Sequence, residues 1–446
     1  MASEPVTAAP SGSNLPAVRR QLTLLDCFGI GVNGIIGSGI FFLPALLYRA
    51  AGGRSPLAWL IVGGLCTLVA LCFAEAASRT DRSGGPYRYA SEAFGNHVGF
   101  AVGWVTLVSS LLGYTAVARG FGETAAGLLG RSGARPLEVA LSCSVVLLLC
   151  IINVMGVRPG ARTGDVLSMV KLGSLLAFVG VGLTCVDWGR LAAPPVPRTN
   201  EPVGLMGAAF AGLFATTGFE YVPVPAGETK NPRRAVPVAM VVSVLGATLL
   251  YLVIQIVAVG TNPHLDGAQV ALVDSAGAFA GPKGRMLMGL AGVISAFGFC
   301  AGSALVGPRY LEAFAQDRFL PGLLARRSVR RQTPGWAVVL LSGLVLILLL
   351  LPLRFERLAS ISNVAVVIQY VATCSAVMVL RRRPAPPGAF VLPLGPLVPL
   401  LALSGSCLLL LYVGRTELLL AAGFIGLGLA TGGLYRRRVL QPVAAK

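Results

Sequence analysis

"GIGVNGIIGSGIF", residues 29–41, lies in an apolar stretch yet holds five glycines, an asparagine and a serine. Glycine weakens a helix by roughly 1 kcal/mol relative to alanine. A helix that crosses a hydrocarbon core of about 30 Å needs about 20 apolar residues. A segment long enough to span a membrane is therefore studded with helix breakers, and the rest of the chain has to supply the reason.

The chain has 446 residues, of which 55% are hydrophobic and 12% charged. Soluble domains carry roughly 25% charged residues. The charges are clustered, with long uncharged runs between them, which reads as an all-α polytopic membrane protein. The net charge of +18 does not indicate nucleic acid. The basic residues sit in short loops, with no basic patch interleaved with aromatics. Nine single cysteines and two histidines form no CxxC pair or metal-ligand cluster, so the cysteines read as small buried packing residues and no metal or cofactor is expected.

Twelve apolar segments cover about 24–48, 56–78, 96–126, 136–155, 163–186, 204–227, 236–259, 286–314, 335–353, 358–380, 391–412 and 417–435. Pro-rich stretches at Ala193–Pro202 and Pro384–Pro396 read as connecting loops. With the N-terminus inside, 23 of the 36 Lys and Arg residues fall on the inner side and 11 on the outer, while Arg119 and Lys171 fall within segments. That bias places both termini in the cytoplasm. Residues 1–22 contain no signal-peptide hydrophobic core and read as a cytoplasmic tail, as do 437–446.

Segments 1 and 6 are unusual in the same way. Segment 1 carries Gly37-Ser38-Gly39, and segment 6 carries "ATTGFE", residues 215–220, with Thr216, Thr217, Gly218 and the carboxylate of Glu220. A five-helix unit repeated once inserts its second copy inverted, because five is odd. Segments 1 and 6 then hold corresponding places in two inverted repeats, 23–190 and 203–383, followed by a two-helix unit at 390–436. Paired glycine-interrupted segments of this kind point to a transporter site. A break frees backbone N–H and C=O groups that lipid cannot satisfy. N–H groups at a half-helix start favour a carboxylate, and freed carbonyls favour an ammonium, so a zwitterion suits both. The alternative is that the glycines only permit close helix packing, the role expected of Gly29, Gly31 and Gly34.

Four stretches resemble the amino acid–polyamine–organocation (APC) superfamily of permeases: "IIGSGIF" at 35–41, "FAEAASRTDRSGGPYRYASEAFG" at 73–95, "GFEYVPVPAGETKNPRRAVP" at 218–237 and "YLEAFAQDRFLP" at 310–321. The resemblance is carried by motifs over segments 1–8 and by hydropathy over 9–12. It implies a LeuT-type fold of 5+5 inverted repeats plus two C-terminal helices. It also implies movement of amino acids or amines by proton symport, by exchange or occasionally by sodium coupling. Carried over by position, the backbone of Ile36, Gly37, Ser38 and Gly39 would hold the substrate carboxylate. Carbonyls around Phe214, Ala215 and Thr217, next to Gly218, would hold the amino group. Phe214 would cap the pocket as a gate, and Tyr114 would line it. Gly302 and Ser303 stand where some relatives have a large aromatic, which implies a locally roomier pocket.

Lys171 lies eight to ten residues into segment 5, or roughly 12–15 Å deep at about 1.5 Å per residue. An intramembrane lysine is costly and usually faces the protein interior. In several proton-coupled relatives a lysine here occupies the place of a sodium ion, so the resemblance gives Lys171 a coupling role. A structural tether to segment 1 or 8 is the other reading. Glu220 reads as a conformational or proton-linked carboxylate beneath the substrate, or as one hydrogen-bonded to the broken helices. Arg119–Glu123 and Glu75–Arg79 have i,i+4 spacing and read as ordinary ion pairs. The loop "DRSGGPYRY" and the run Lys230–Arg234 read as parts of the cytoplasmic gate or as plain topology markers, and Asp165 as solvated.

Rival classes find little support. "GIGVNG", residues 29–34, matches GxGxxG, but no preceding strand or soluble βαβ unit is available, and Arg49 and Arg54 stand where an acidic residue is needed. No GxSxG or HExxH occurs, so the chain is not read as an enzyme. The expectation is an amino acid permease of the cytoplasmic (inner) membrane, with proton symport favoured and sodium coupling less so. The alternatives are a substrate/product exchanger for amino acids or amines, or a non-transporting sensor of the same fold.

Overall fold

The structure, a computed structural model, describes residues 22–79, 85–156, 161–196, 203–223, 229–328, 333–392 and 394–440, excluding the side chains of 161–167 and 434–440. Of the expected gate and tail positions, Arg82, the Asp165 side chain and residues 1–21 and 441–446 lie outside the described residues. The helices are α1 (Leu24–Ile35), α2 (Gly39–Ala51), α3 (Pro56–Arg79), α4 (Gly85–Phe94), α5 (Asn96–Leu128), α6 (Arg135–Val154) and α7 (Ala161–Leu183) in the first half. The second half contains α8 (Gly204–Thr216), α9 (Pro232–Thr261), α10 (Ala271–Gln316), α11 (Gly335–Leu350), α12 (Phe355–Leu380), α13 (Leu397–Leu410) and α14 (Arg415–Leu440). Each of the twelve apolar segments overlaps one of these helices.

Among the described residues, seven single helices are long and apolar enough to cross a membrane, and α1 with α2 forms an eighth candidate bent by 47° at its break. The protein is a polytopic helical membrane protein. Its outer faces are apolar, with Leu147, Leu148 and Ile151 exposed on α6 and Val242, Leu245 and Leu249 on α9. The charged and amide side chains Glu75, Arg119, Lys171, Glu220 and Gln255 are buried inside the bundle. This is the distribution expected when the outer solvent is lipid.

Two features exceed the sequence reading. α4 is a separate ten-residue helix before α5. α10 extends well before position 286 and is two helices joined at Gly281, where φ is 65° and ψ −158°. Glycine adopts that backbone readily, and Pro282 lacks the N–H that would carry the first helix onward.

The packing brings the two broken regions together. α3 lies along α9, α5 packs between α10 and α12, and α2 packs on α8. Polar side chains fasten backbone to backbone across these contacts. Asn363 on α12 donates to the Phe210 carbonyl of α8 at 2.7 Å. Gln255 on α9 accepts from Trp59 Nε1 at 3.2 Å and donates to the Pro44 carbonyl and to Ser55 Oγ, both at 3.0 Å.

At one end of α3 the Glu75–Arg79 pair forms as expected, with Nη2 to Oε1 at 2.8 Å. The fully buried Glu75 carboxylate takes on more than that pair. It accepts from Arg381 Nη2 at 2.6 Å and from the Leu392 N–H at 3.0 Å. The end of α3 is thereby bound to the end of α12 and to the chain leading to α13.

Five cysteines are buried packing residues, but Cys185 and Cys407 are exposed, which corrects the expectation for those two. Cys407 sits on α13, a strongly apolar helix with an open outer face, where a small thiol needs no cover.

Candidate functional site

α1 starts on a capping box, with Thr23 N donating to Asp26 Oδ2 at 2.7 Å and Asp26 N donating to Thr23 Oγ1 at 3.3 Å. It ends at Ile35 because Ile36 leaves helical geometry at φ −82°, ψ 87°. Gly37 and Ser38 lie between the helices, and α2 resumes at Gly39. As the first residues of a helix, Gly39 and Ile40 present N–H groups with no intrahelical acceptor.

The carbonyls on the other side of the break are met by side chains from three helices. Lys171 Nζ on α7 donates to the Ile36 carbonyl at 2.9 Å. Ser295 Oγ on α10 lies 3.3 Å from the Ile36 carbonyl and 3.2 Å from that of Gly37. The Tyr251 hydroxyl on α9 donates to the Ile35 carbonyl at 3.3 Å.

α8 ends at Thr216, Thr217 is extended, and Gly218 takes φ 112° before a short 3-10 turn over Phe219–Tyr221. The Phe214 carbonyl accepts from Thr217 Oγ1 at 2.8 Å. Ala215 and Thr216, as last residues of a helix, present carbonyls without intrahelical donors. Glu220 folds back on the break, and its Oε2 accepts from the Gly218 N–H at 2.8 Å. Cys66, Tyr221, Tyr310 and Tyr370 lie within electrostatic reach of this carboxylate. No ion pair to Glu220 forms among the described residues.

The two breaks touch. A Cβ on Gly34 would lie 2.6 Å from the Gly218 carbonyl oxygen, and a Cβ on Gly218 would run into the Gly34 carbonyl. A Cβ on Gly39 would stand 3.0 Å from that of Ala215, and one on Gly37 3.0 Å from the Phe299 ring of α10. Gly31 and Gly34 are close-packing positions, Gly31 against Ser243.

Tyr114 and Ser303 are buried, and neither hydroxyl has a hydrogen-bond partner among the described residues. A Cβ at Gly302 would meet only Asn33 Nδ2, at 3.7 Å, within 4 Å. Ser38 turns its hydroxyl toward Gly120 of α5. Phe214 packs edge-on to Phe355 at 5.4 Å, and Phe355 stacks on Phe42 at 4.7 Å, so three rings from α8, α12 and α2 form one layer.

The break between α1 and α2 meets the interrupted end of α8 inside the bundle, and glycine-interrupted membrane segments are where secondary transporters place their sites. Residues 22–428 match the sequence profile of the amino acid permease family. The chain belongs to that family. It is 30% identical over 401 residues to the serine/threonine exchanger SteT of Bacillus subtilis (strain 168), covering 87% of this chain and 90% of SteT. It is 27% identical over 468 residues to the branched-chain amino acid permease BcaP of the same organism, covering 97% and 96%. It is also 27% identical over 440 residues to that organism's methylthioribose transporter, covering 92% and 91%. The chain is a permease by family, not an enzyme.

One expected pair does not form in the permease. Arg119 makes no ion pair with Glu123; its Nη2 donates to the Leu349 and Leu351 carbonyls at the end of α11. Those carbonyls lack intrahelical donors, and a buried guanidinium satisfies them where a helix end is negative. Several side chains that the sequence did not single out also lie at the breaks. Asn33, Tyr251, Ser295, Phe299 and Phe355 all contact the breaks or the ring layer. Asn33 had a signal, since it is an amide one turn before Gly37 in the opening stretch, but its partners lie on distant helices.

Proposed function

We propose that this permease moves amino acids across the cytoplasmic membrane by alternating access, with substrate bound between the breaks of α1/α2 and α8. In this reading the chain has twelve spans, both termini in the cytoplasm, and a LeuT-type architecture. The inverted repeats are 23–190 and 203–383, followed by 390–436. The observation that supports the reading is the backbone contact between the Gly34 and Gly218 regions, which brings the α1/α2 break against the end of α8.

The substrate carboxylate meets the Ile36–Gly39 backbone at the positive start of α2, and the amino group meets the Ala215–Thr217 carbonyls. Tyr114, Gly302 and Ser303 border the side-chain pocket. Phe214 is the gate, and its packing against Phe355, which in turn stacks on Phe42, supports closure on the α2 side.

Lys171 is the coupling residue. Its ammonium satisfies a carbonyl of the α1 break, so loss or displacement of that charge loosens α1 from α7. The same geometry also serves as a tether, and in this account coupling works through the tether. Glu220 holds the α8 break by its bond to the Gly218 N–H and is the second proton-linked candidate. Proton symport follows from Lys171 and Glu220. Exchange is the second reading, favoured by the similarity to a serine/threonine exchanger.

The test is uptake of labelled amino acids into proteoliposomes with a proton gradient, a sodium gradient or internal amino acid imposed separately. Uptake driven by the proton gradient alone supports symport, and uptake that requires internal amino acid supports exchange.

A further inference from the structure

We propose that Asn33 is a positioning residue that holds the Lys171 ammonium on α1 and joins both to α10, making the grip on α1 depend on the charge at Lys171. The proposal rests on the coupling role given to Lys171 above.

Lys171 Nζ, on a side chain 1% exposed, donates to Asn33 Oδ1 at 2.5 Å and to the Ile36 carbonyl at 2.9 Å. The other end of the Asn33 carboxamide, Nδ2, lies 3.4 Å from the Gly298 carbonyl of α10. The chemistry fixes which way the amide faces. An ammonium only donates and a carbonyl only accepts, so the oxygen must face Lys171 and the NH2 must face Gly298. α10 presents bare backbone at this point. A Cβ on Gly298 would lie 3.1 Å from Asn33 Oδ1 and 3.1 Å from both Cε and Nζ of Lys171. Three helices therefore converge on one amide.

The groups facing the ammonium are neutral. α1 supplies Asn33 and the Ile36 carbonyl. α10 supplies Gly298 and the Cys300 thiol, the titratable group within electrostatic reach. On α9 the Tyr251 hydroxyl is directed to the break itself, donating to the Ile35 carbonyl. Among the described residues no carboxylate pairs with Lys171.

That neutrality has a consequence. A buried ion pair resists separation because breaking it strands a charge. An amide holds an ammonium firmly but leaves no opposite charge behind when the proton departs or the helices part. A carboxylate at position 33 would instead pin the charge and α1 together. Asn33 is thus suited to a hold that must be released in each transport cycle.

The experiment measures initial uptake of a radiolabelled mixture of the proteinogenic L-amino acids into proteoliposomes across a series of external pH values. It compares the wild type, Asn33→Asp, Asn33→Ser and Lys171→Ala, each checked for a monodisperse, cooperatively melting protein. Asn33→Asp should move the pH midpoint upward by about one unit or more, because an opposite charge at hydrogen-bond range favours the charged amine. It should also lower the maximal rate without raising KM. Asn33→Ser should flatten the pH profile with KM retained. Wild-type pH profiles in both Asn33 variants, alongside a flat profile in Lys171→Ala, would overturn the role of Asn33 and leave that of Lys171 standing. A wild-type profile in Lys171→Ala would remove the coupling reading itself. If one Asn33 variant fails to fold, the other decides.

Discussion

Gly34 and Gly218, 184 positions apart in the chain, meet backbone to backbone, with no room for a side chain on either. Gly218 also sits at φ 112°, outside the range of ordinary L residues. Gly218→Ala should therefore combine a clash with backbone strain of about 1–3 kcal/mol. The expected outcome is a lowered melting temperature and loss of uptake. Gly246→Ala on α9, where a Cβ meets nothing within 4 Å, is the control that should keep both. Equal behaviour of the two variants would show that the contact between the breaks does not matter.

Arg119 and Glu123 should behave as independent residues. The Arg119 guanidinium is buried and its hydrogen bonds go to α11 carbonyls. Arg119→Gln should cost about 1.5–3 kcal/mol, the range for hydrogen bonds to a charged group. A double-mutant cycle with Glu123→Gln, read by thermal melting in detergent, should give a coupling energy near zero. A strong coupling would restore the ion pair suggested by the spacing.

The Glu75 carboxylate should prove a structural clamp. It accepts from Arg79, Arg381 and the Leu392 N–H while fully buried. Removing one partner of a buried charge network costs about 3–5 kcal/mol. Arg381→Ala should thus lower the melting temperature sharply, whereas Arg382→Ala, one position along, should not. Substrate KM in any surviving Arg381→Ala protein should be close to wild type.

The ring layer gives a further test. Phe355 bridges Phe214 and Phe42, so Phe355→Ala should open the α2 side of the site. Core Phe→Ala changes cost about 3–5 kcal/mol, and Phe355→Leu should recover much of the stability. The expected signature in both variants is faster leak of preloaded amino acid from proteoliposomes. Unchanged leak would argue against a gate at Phe214.

The breaks were legible in the sequence because a broken membrane helix requires residues that tolerate exposed backbone, and two such clusters five segments apart imply each other. Lys171 was legible because a charge deep in an apolar run has few explanations. Its partner Asn33 was not, because the bond spans 138 positions and depends on how α1, α7 and α10 are rotated. Arg119 misled for a related reason. Local spacing offered Glu123, but the unsatisfied end of α11 competed and prevailed. The kink at Gly281 was present as Gly-Pro, yet its flanking helix was hidden by modest hydropathy before position 286.

Coupling through Lys171, as proposed, can be tested with the purified protein alone. The most direct measurement is uptake of radiolabelled amino acids into proteoliposomes under an inward proton gradient, with no internal amino acid and no sodium, in the wild type and in Lys171→Ala. Gradient-driven accumulation is expected in the wild type, and none above equilibration in Lys171→Ala. Equal accumulation in the two proteins, or wild-type uptake that appears only with amino acid inside, would contradict it.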